Sequence, residues 1–111
     1  MKIAVSSMGD SINSYVSEKF GRAPYFIIYN TDDNIFVSIK NQNLDLQNSA
    51  GIKAAEIIIE NGAEVLLSGH LGDKAEGVLN KAEVKIVTGY NTSIKVKDAI
   101  LNFISENNKQ K

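Results

Sequence analysis

The chain contains no cysteine, and its one histidine is His70. The lack of cysteine excludes disulfides, zinc sites built from thiolates, and any iron–sulfur cluster held by the chain's own thiolates. One imidazole and the thioether of Met8 make a poor site for a bare metal ion. Any inorganic group that this chain binds must therefore bring most of its own ligand shell.

Strong net charge and long apolar runs are absent as well. The formal net charge is −1, so no global field attracts nucleic acid or anionic lipid. No apolar run approaches the roughly 18 residues of a membrane span, and the segment Met1–Val5 is too short and too quickly polar for a signal peptide. We expect a cytoplasmic protein that binds neither nucleic acid nor a membrane.

The signatures of several enzyme classes are also missing. The sequence has neither a Gly-x-Gly-x-x-Gly fingerprint nor a Gly-x-x-x-x-Gly-Lys-Ser/Thr phosphate loop. The first strand is followed by Ser6 and Ser7, where a two-metal nuclease would place an aspartate. Asp10 and Asp73 fall short of the about three or four carboxylates that such an enzyme needs. No third group is identified that would orient His70 to activate a serine. The residues therefore favour neither a two-metal nuclease nor a serine nucleophile.

The composition and the apolar pattern predict one α/β domain over residues 1–104 and a polar C-terminal tail, 105–111, that frays. Apolar residues make up 43% of the chain and charged residues 23%, which are ordinary values for a globular domain. Ser93 is the expected cap of the last helix, and Asn48 or Ser49 that of the first. Strands are predicted at 3–5, 25–29, 35–40, 65–67 and 84–87, and helices at 50–61, 73–81 and 93–104.

The resulting order, β-β-β-α-β-α-β-α, predicts the topology. Strand–helix–strand units require parallel neighbours joined by right-handed crossovers, whereas the turn-forming residues 30–34 predict a hairpin in which strand 2 is antiparallel. We therefore predict a five-stranded mixed sheet of order 3-2-1-4-5 with three helices. The alternating third strand is expected at an edge, where its last residue, Lys40, guards against open-ended pairing.

This topology brings several loops to one rim of the sheet, at residues 6–14, 19–23, 48–51, 69–72 and 89–93. Three helix N-termini are expected to add partial positive charge to the rim, and Lys19, Arg22 and His70 add cations or donors. We therefore predict that the rim binds an anion. Structural roles are the alternatives: Arg22 pairs with a nearby carboxylate, and Asp73 only stabilises the start of its helix.

Four segments of the chain carry a family resemblance, at residues 1–5, 16–26, 50–55 and 69–75. The most distinctive motif among them is Phe20-Gly21-Arg22-Ala23. Together the segments resemble the dinitrogenase iron-molybdenum cofactor biosynthesis family, which includes NifX-type proteins and the C-terminal domain of NifB-type proteins. The resemblance implies a ribonuclease H-like fold and a non-catalytic accessory role in binding or carrying a nitrogenase metallocluster or its precursors.

The resemblance also implies where such a cargo binds and which partners it has. The expected cargo is an iron-molybdenum or iron–sulfur cluster bound non-covalently, and the expected partners are proteins that donate or accept it. The chain itself is expected to be a monomer or a homodimer. The residues predicted to bind the cofactor are Lys19, Phe20, Gly21, Arg22, Ser49, Gly51, Gly69, His70 and Gly72, with His70 as the metal ligand.

Three stretches depart from the family pattern. Lys19 stands where many members have a histidine, and Asn48–Gly51 lacks the histidine that many have before the first helix. Some members carry cysteine in a Gly-His-x-Gly-Pro turn, where this chain has Leu71 and Asp73. A preassembled anionic cluster needs few protein ligands, so N–H donors and cations suffice to hold it. Two alternatives stay open: an anion-binding module for a phosphorylated small molecule, and a regulatory protein whose rim binds a partner's acidic segment.

Overall fold

The computed structural model describes residues 1–45 and 48–109, and its elements follow the predicted order. A 3₁₀ turn at Phe20–Arg22 precedes the second strand. The strands are β1 (Lys2–Ser7), β2 (Tyr25–Asn30), β3 (Ile35–Lys40), β4 (Val65–Leu67) and β5 (Lys85–Val87), and the helices are α1 (Ala50–Glu60), α2 (Asp73–Lys81) and α3 (Val96–Lys109).

β1 is the central strand of the sheet. It pairs with β2 in an antiparallel register that places Ile3 opposite Tyr29, and with β4 in a parallel register that places Ile3 beside Val65. β3 extends the antiparallel side and β5 the parallel side, so the order is β3-β2-β1-β4-β5. The predicted order and the antiparallel direction of β2 are confirmed. β1, β4 and β5 therefore end at the same edge, which we call the carboxyl edge.

Helices cover both faces of the sheet. α1 and α2 pack on one face, over the buried side chains of Ala4, Phe26 and Leu66. α3 packs on the opposite face, against Val5 and Leu67. Because successive side chains of a strand point to opposite faces, the central strands bury both faces and read as continuous apolar runs.

The start of α3 differs from the prediction. The helix begins at Val96, whose N–H donates to the carbonyl of Ser14 at 2.8 Å, and the N–H of Lys97 donates to the carbonyl of Ile12 at 2.8 Å. Ser93 lies in the preceding turn, so its predicted role as the helix cap is wrong. Main-chain carbonyls of the loop after β1 instead accept hydrogen bonds from the first N–H groups of α3.

The helix ends are partly as predicted. α1 ends at Glu60, and Gly62 follows with a φ of +74°, which agrees with the predicted Asn-Gly stop. α3 continues to Lys109, so residues 105–109 are helical where fraying was expected, and residues 110–111 lie outside the described residues. Among the described helices, none combines the length and the apolar character that a membrane crossing requires.

Candidate functional site

A short segment before β2 crosses the carboxyl edge and is hydrogen-bonded to the turn that follows β4. The N–H of His70 donates to the carbonyl of Glu18 at 2.7 Å, and the N–H of Phe20 donates to the carbonyl of His70 at 3.1 Å. Lys19 and His70 thereby form an isolated parallel bridge. We call Glu18–Phe20 and Gly69–His70 the ridge. It joins the segment that carries the predicted cations to the turn that carries the histidine.

Two glycines allow this close approach. A Cβ atom at Gly69 would lie 2.5 Å from the carbonyl oxygen of Glu18 and 2.6 Å from that of Tyr90. A Cβ atom at Gly21 would lie 3.0 Å from the main-chain nitrogen of Gly51. The 3₁₀ turn therefore packs on the start of α1, and Gly69 packs directly against Glu18 within the ridge and against the loop after β5. These contacts confirm that the loops converge on one rim.

Buried serine hydroxyls tie the strand ends to the ridge. Ser6 Oγ, at the end of β1, donates to the carbonyl of Ser17 at 2.8 Å and shares a hydrogen bond of 2.7 Å with Ser68 Oγ. All three serines are buried. Their hydroxyls are hydrogen-bonded within the fold, which gives them a structural role at the rim.

An open depression of about 310 Å³ lies beside the ridge. We call it the Lys19–Arg22 depression; it is lined by Met8, Ser17, Glu18, Lys19, Arg22, Pro24 and Thr92. Lys19 and Arg22 are both exposed there, and half of the Met8 side chain is exposed. Two cations face one carboxylate in this lining, so the local charge is positive although the whole chain is slightly acidic.

Two hydrogen bonds hold the walls of the Lys19–Arg22 depression. Arg22 Nη1 donates to the carbonyl of Leu44 at 2.7 Å, which ties the 3₁₀ turn to the loop after β3. Glu18 Oε1 accepts a bond from the main-chain N–H of Thr92 at 3.2 Å, which ties the ridge to the loop after β5. Within residues 1–45 and 48–109, Lys19 takes part in no ion pair. The Lys19 ammonium is therefore available to an anion.

A second depression, of about 300 Å³, lies where α1 and α2 begin. We call it the helix-start depression; it is lined by Asn48, Gly51, Ile52, Gly72, Asp73, Lys74 and Ala75. Ser49 and Gly72 occupy the N-cap positions, and neither makes a side-chain capping bond. α3 contributes no free N-terminus, because its first N–H groups are bonded to the loop after β1. The prediction of three available helix N-termini is therefore wrong, and two remain.

Some of the residues predicted from the sequence line these two depressions. Lys19 and Arg22 line the Lys19–Arg22 depression. Gly51 and Gly72 line the helix-start depression, and Ser49 lies directly before α1. The predicted set therefore does not form one pocket: two members line each depression and the others line neither.

Four further members of the predicted set lie in or on the ridge and the 3₁₀ turn. The Phe20 ring is buried in the core, with its centroid 5.5 Å from that of Phe26. Gly21 and Gly69 make the close main-chain contacts described above. His70 is exposed on the ridge and lines neither depression. In the described part of the chain, no group of three or more His, Asp or Glu side chains is placed to hold a metal ion.

The lining also contains residues outside the predicted cofactor-binding set, among them Met8, which the sequence offered only as a potential soft ligand. Met8, Ser17, Glu18 and Pro24 flank the ends of β1 and the Phe-Gly-Arg motif, so their positions carried a local signal. Thr92 belongs to the loop 89–93 that was predicted at the rim, but nothing in the sequence indicated that this residue contacts Glu18 across the edge of the sheet.

Comparisons with known proteins agree with this fold. The sequence model of the family described as Dinitrogenase iron-molybdenum cofactor matches residues 1–106. The chain belongs to this family. No curated protein sequence matches it.

Two solved structures extend the likeness to this member of the iron-molybdenum cofactor family. The apo form of the orange protein from Desulfovibrio gigas is 30% identical, with a TM-score of 0.91 over 95% of this chain and 88% of that one. A putative NifB protein from Thermotoga, of the DUF35 family, is 31% identical, with a TM-score of 0.78 over 94% of this chain and 87% of that one.

The iron-molybdenum cofactor family handles that cofactor, and its members are accessory proteins. The side chains of this member do not fit a bare metal ion, since there is no thiolate and only one imidazole. They fit a preassembled anionic cluster, because two cations and the soft sulfur of Met8 line one depression.

Proposed function

We propose that this chain binds a preassembled anionic metallocluster as cargo in the Lys19–Arg22 depression. The class of cargo is an iron-molybdenum-cofactor-like or iron–sulfur cluster. The chain carries it between donor and acceptor proteins of the cytoplasm, without catalysis. The observation that carries the proposal is the meeting of two cations and a thioether in one open depression of about 310 Å³. Membership of the iron-molybdenum cofactor family supports this class of cargo.

The two cations have different parts in this proposal. The planar guanidinium of Arg22 is oriented by its bond of 2.7 Å to the Leu44 carbonyl, so it presents a charge at a fixed place. The ammonium of Lys19 lies on a flexible stem and adapts to the shape of the cargo. Together they attract an anion that the acidic surface elsewhere would repel.

Met8 is the proposed direct ligand within the lining, and His70, just outside it on the ridge, is the second candidate ligand. The thioether of Met8 is half-exposed within the lining, and soft sulfur ligands select soft metals. His70 lies beside Lys19 in the bridge of the ridge and offers one exposed imidazole. A cluster with a complete inorganic shell requires only one or both of these contacts.

Anaerobic purification from a host with an active iron–sulfur assembly system tests the proposal, combined with metal analysis and absorbance. We expect coloured protein that contains iron. We expect the Lys19→Gln variant to retain about tenfold less cluster, since a charge-assisted contact is worth roughly 1.5 kcal/mol. Met8→Leu and His70→Ala report whether each side chain is a ligand, through a change in the absorbance spectrum.

The matched control is Lys74→Gln, which removes the same charge from the helix-start depression. It is expected to leave cluster content unchanged. Colourless, metal-free protein that also accepts nothing from a cluster-loaded donor would contradict the proposal. Equal losses of bound cluster in the Lys19→Gln and Lys74→Gln variants would contradict the proposal that the cluster binds in the Lys19–Arg22 depression.

A phosphorylated small molecule is the second candidate ligand, and the helix-start depression favours it. Two helix N-termini without capping side chains meet there beside Lys74, and such N–H groups suit a phosphate. Thermal-shift measurements with inorganic phosphate and nucleotides test it. This candidate predicts saturable stabilisation that Lys74→Gln abolishes and Lys19→Gln preserves; an absence of stabilisation would exclude it.

A further inference from the structure

The two edges of the sheet are protected to different degrees. β5 has three residues and begins with Lys85, so it offers little to another strand. β3 has six residues in unbroken register with β2, without proline or bulge, and its one charged residue, Lys40, comes last. Proteins normally protect such an edge with charges, prolines, bulges or short length, because a regular edge strand pairs readily with another strand.

The direction of the main-chain groups in β3 follows from one hydrogen bond. The N–H of Asn41 donates to the carbonyl of Pro24 at 2.9 Å, and the register places these two residues directly opposite. Bonded and non-bonded pairs alternate along an antiparallel ladder. The odd-numbered residues of β3 therefore bond to β2. Phe36, Ser38 and Lys40 direct their N–H and C=O groups away from the sheet.

An apolar row accompanies these outward main-chain groups. Val37 lies opposite Ile28, which belongs to the core beneath α1 and α2, so Ile35, Val37 and Ile39 share that face. The side chains of Ile35 and Val37 are 59% and 56% exposed, so the helices leave them uncovered. Phe36 is exposed on the other face. The edge thus combines unpaired main-chain groups with exposed aliphatic side chains.

We propose that β3 pairs with β3 of a second copy of this chain, antiparallel about a two-fold axis at Val37. This register places Val37 opposite Val37 of the partner, Ile35 opposite Ile39, and Phe36 opposite Ser38. Each protomer adds its three aliphatic side chains to one continuous ladder on the α1–α2 face. Each Phe36–Ser38 pair exchanges two hydrogen bonds, which uses the outward groups at the centre of β3.

The edge fits its own copy because it is self-complementary. The axis at Val37 sets aliphatic side chains of one protomer beside aliphatic side chains of the other, and the outward main-chain groups of Phe36 beside those of Ser38. A two-fold junction is closed, so Lys40 at the strand end is compatible with it while opposing longer stacks. Only one strand of six residues from each protomer forms the junction, so we expect a weak, concentration-dependent dimer, unlike stable interfaces that bury roughly 1,200–2,000 Å².

Cysteine cross-linking tests the register, because the natural chain has no cysteine. Non-bonded antiparallel pairs have Cα atoms about 4.5 Å apart, which lies within the range that a disulfide spans. We expect Val37→Cys to form a covalent dimer under mild oxidation at least tenfold faster than two controls. The first control is Phe36→Cys, which lies opposite Ser38 of the partner and on the other face of the sheet from Val37. The second control is Leu101→Cys, which is similarly exposed but lies on α3.

Sedimentation velocity tests the dimer itself, from about 10 µM to 1 mM. We expect the mass to rise from 12.1 kDa toward twice that value. Val37→Lys should abolish the rise, because like charges would meet on the axis, and Leu101→Lys should preserve it. A monomer at every concentration, or equal cross-linking of all three cysteine variants, would overturn the proposal. So would binding of an extended peptide to β3 by a chain that stays monomeric. The Lys19–Arg22 depression shares no residue with this edge, so the cargo proposal is tested separately.

Discussion

Replacement of Gly69 by alanine is expected to destabilise the fold by about 2 kcal/mol, because this glycine of the ridge lies against main-chain atoms of Glu18 and Tyr90. The added Cβ would meet the carbonyl oxygen of Glu18 at 2.5 Å, the Cα of Glu18 at 2.6 Å and the carbonyl oxygen of Tyr90 at 2.6 Å. All three atoms are main-chain atoms, which no side-chain rotation can move. The ridge and the loop after β5 must therefore shift.

The expected magnitude follows from these distances. Ordinary contacts lie at 3.4–4 Å, so the main chain must move by almost 1 Å (3.4 less 2.5) to accept the methyl group. Overpacking of this kind costs about 1–3 kcal/mol. The movement also strains the bond of 2.7 Å between the His70 N–H and the Glu18 carbonyl, worth about 1 kcal/mol. This loss of stability is partly offset, by about 0.4–1 kcal/mol, because alanine lowers the conformational entropy of the unfolded chain.

Thermal and urea unfolding measure this change, and Gly72→Ala is the matched control. A Cβ at Gly72 meets nothing within 4 Å, and its φ of −77° and ψ of 162° suit any residue. We expect Gly69→Ala to lower Tm by roughly 8 °C for a domain of this size, and Gly72→Ala to change it by less than about 2 °C. Equal Tm values for the two variants would refute the reasoning about the ridge.

Three further substitutions test other contacts. Burial raises the pKa of Tyr90 above its ordinary value. Above about pH 10 the Tyr90 hydroxyl therefore loses its proton in the unfolded chain before it does so in the folded chain. The free energy of unfolding consequently falls as pH rises. Urea titrations at pH 9 to 11 are expected to show a shallower fall in Tyr90→Phe, and identical slopes would contradict this. Ser6→Ala leaves Ser68 Oγ without its bond of 2.7 Å and is expected to lower the unfolding free energy by about 1–3 kcal/mol, with an unchanged urea midpoint as the contrary result. Glu83 has a φ of +61°, so Glu83→Gly is expected to stabilise the chain by about 0.5 kcal/mol, and a lower Tm would contradict the relief of strain.

The sheet was predictable because its signals are local. Continuous apolar runs marked the strands buried on both faces, and the turn-forming residues 30–34 marked the hairpin between β2 and β3. The right-handed crossover rule and the parallel pairing of strands joined by a helix then indicated the strand order that is observed. The start of α3 was not predictable in this way. Its N–H partners, Ser14 and Ile12, lie some 80 residues earlier in the chain, and Ser93 offered a plausible but incorrect local cap.

The candidate site was predictable only in part. Lys19 directly precedes the Phe-Gly-Arg motif and Arg22 is its last residue, and both line the same depression. The sequence could not show that the intervening Phe20 turns inward to the core, or that Thr92 joins the lining through Glu18. Both facts depend on tertiary packing at the carboxyl edge. The division into two depressions has the same origin, because the ridge is built from segments that are far apart in the sequence.

The location of the cargo is tested most directly by an anaerobic titration of the ¹⁵N-labelled chain with isolated iron-molybdenum cofactor, followed by amide NMR. We predict that shifts and broadening at one equivalent centre on Met8, Lys19, Arg22 and Thr92, and that Lys19→Gln weakens them. Unchanged spectra at stoichiometric cofactor would contradict cluster binding. Changes centred on Asn48 and Lys74 would place the site at the helix-start depression instead.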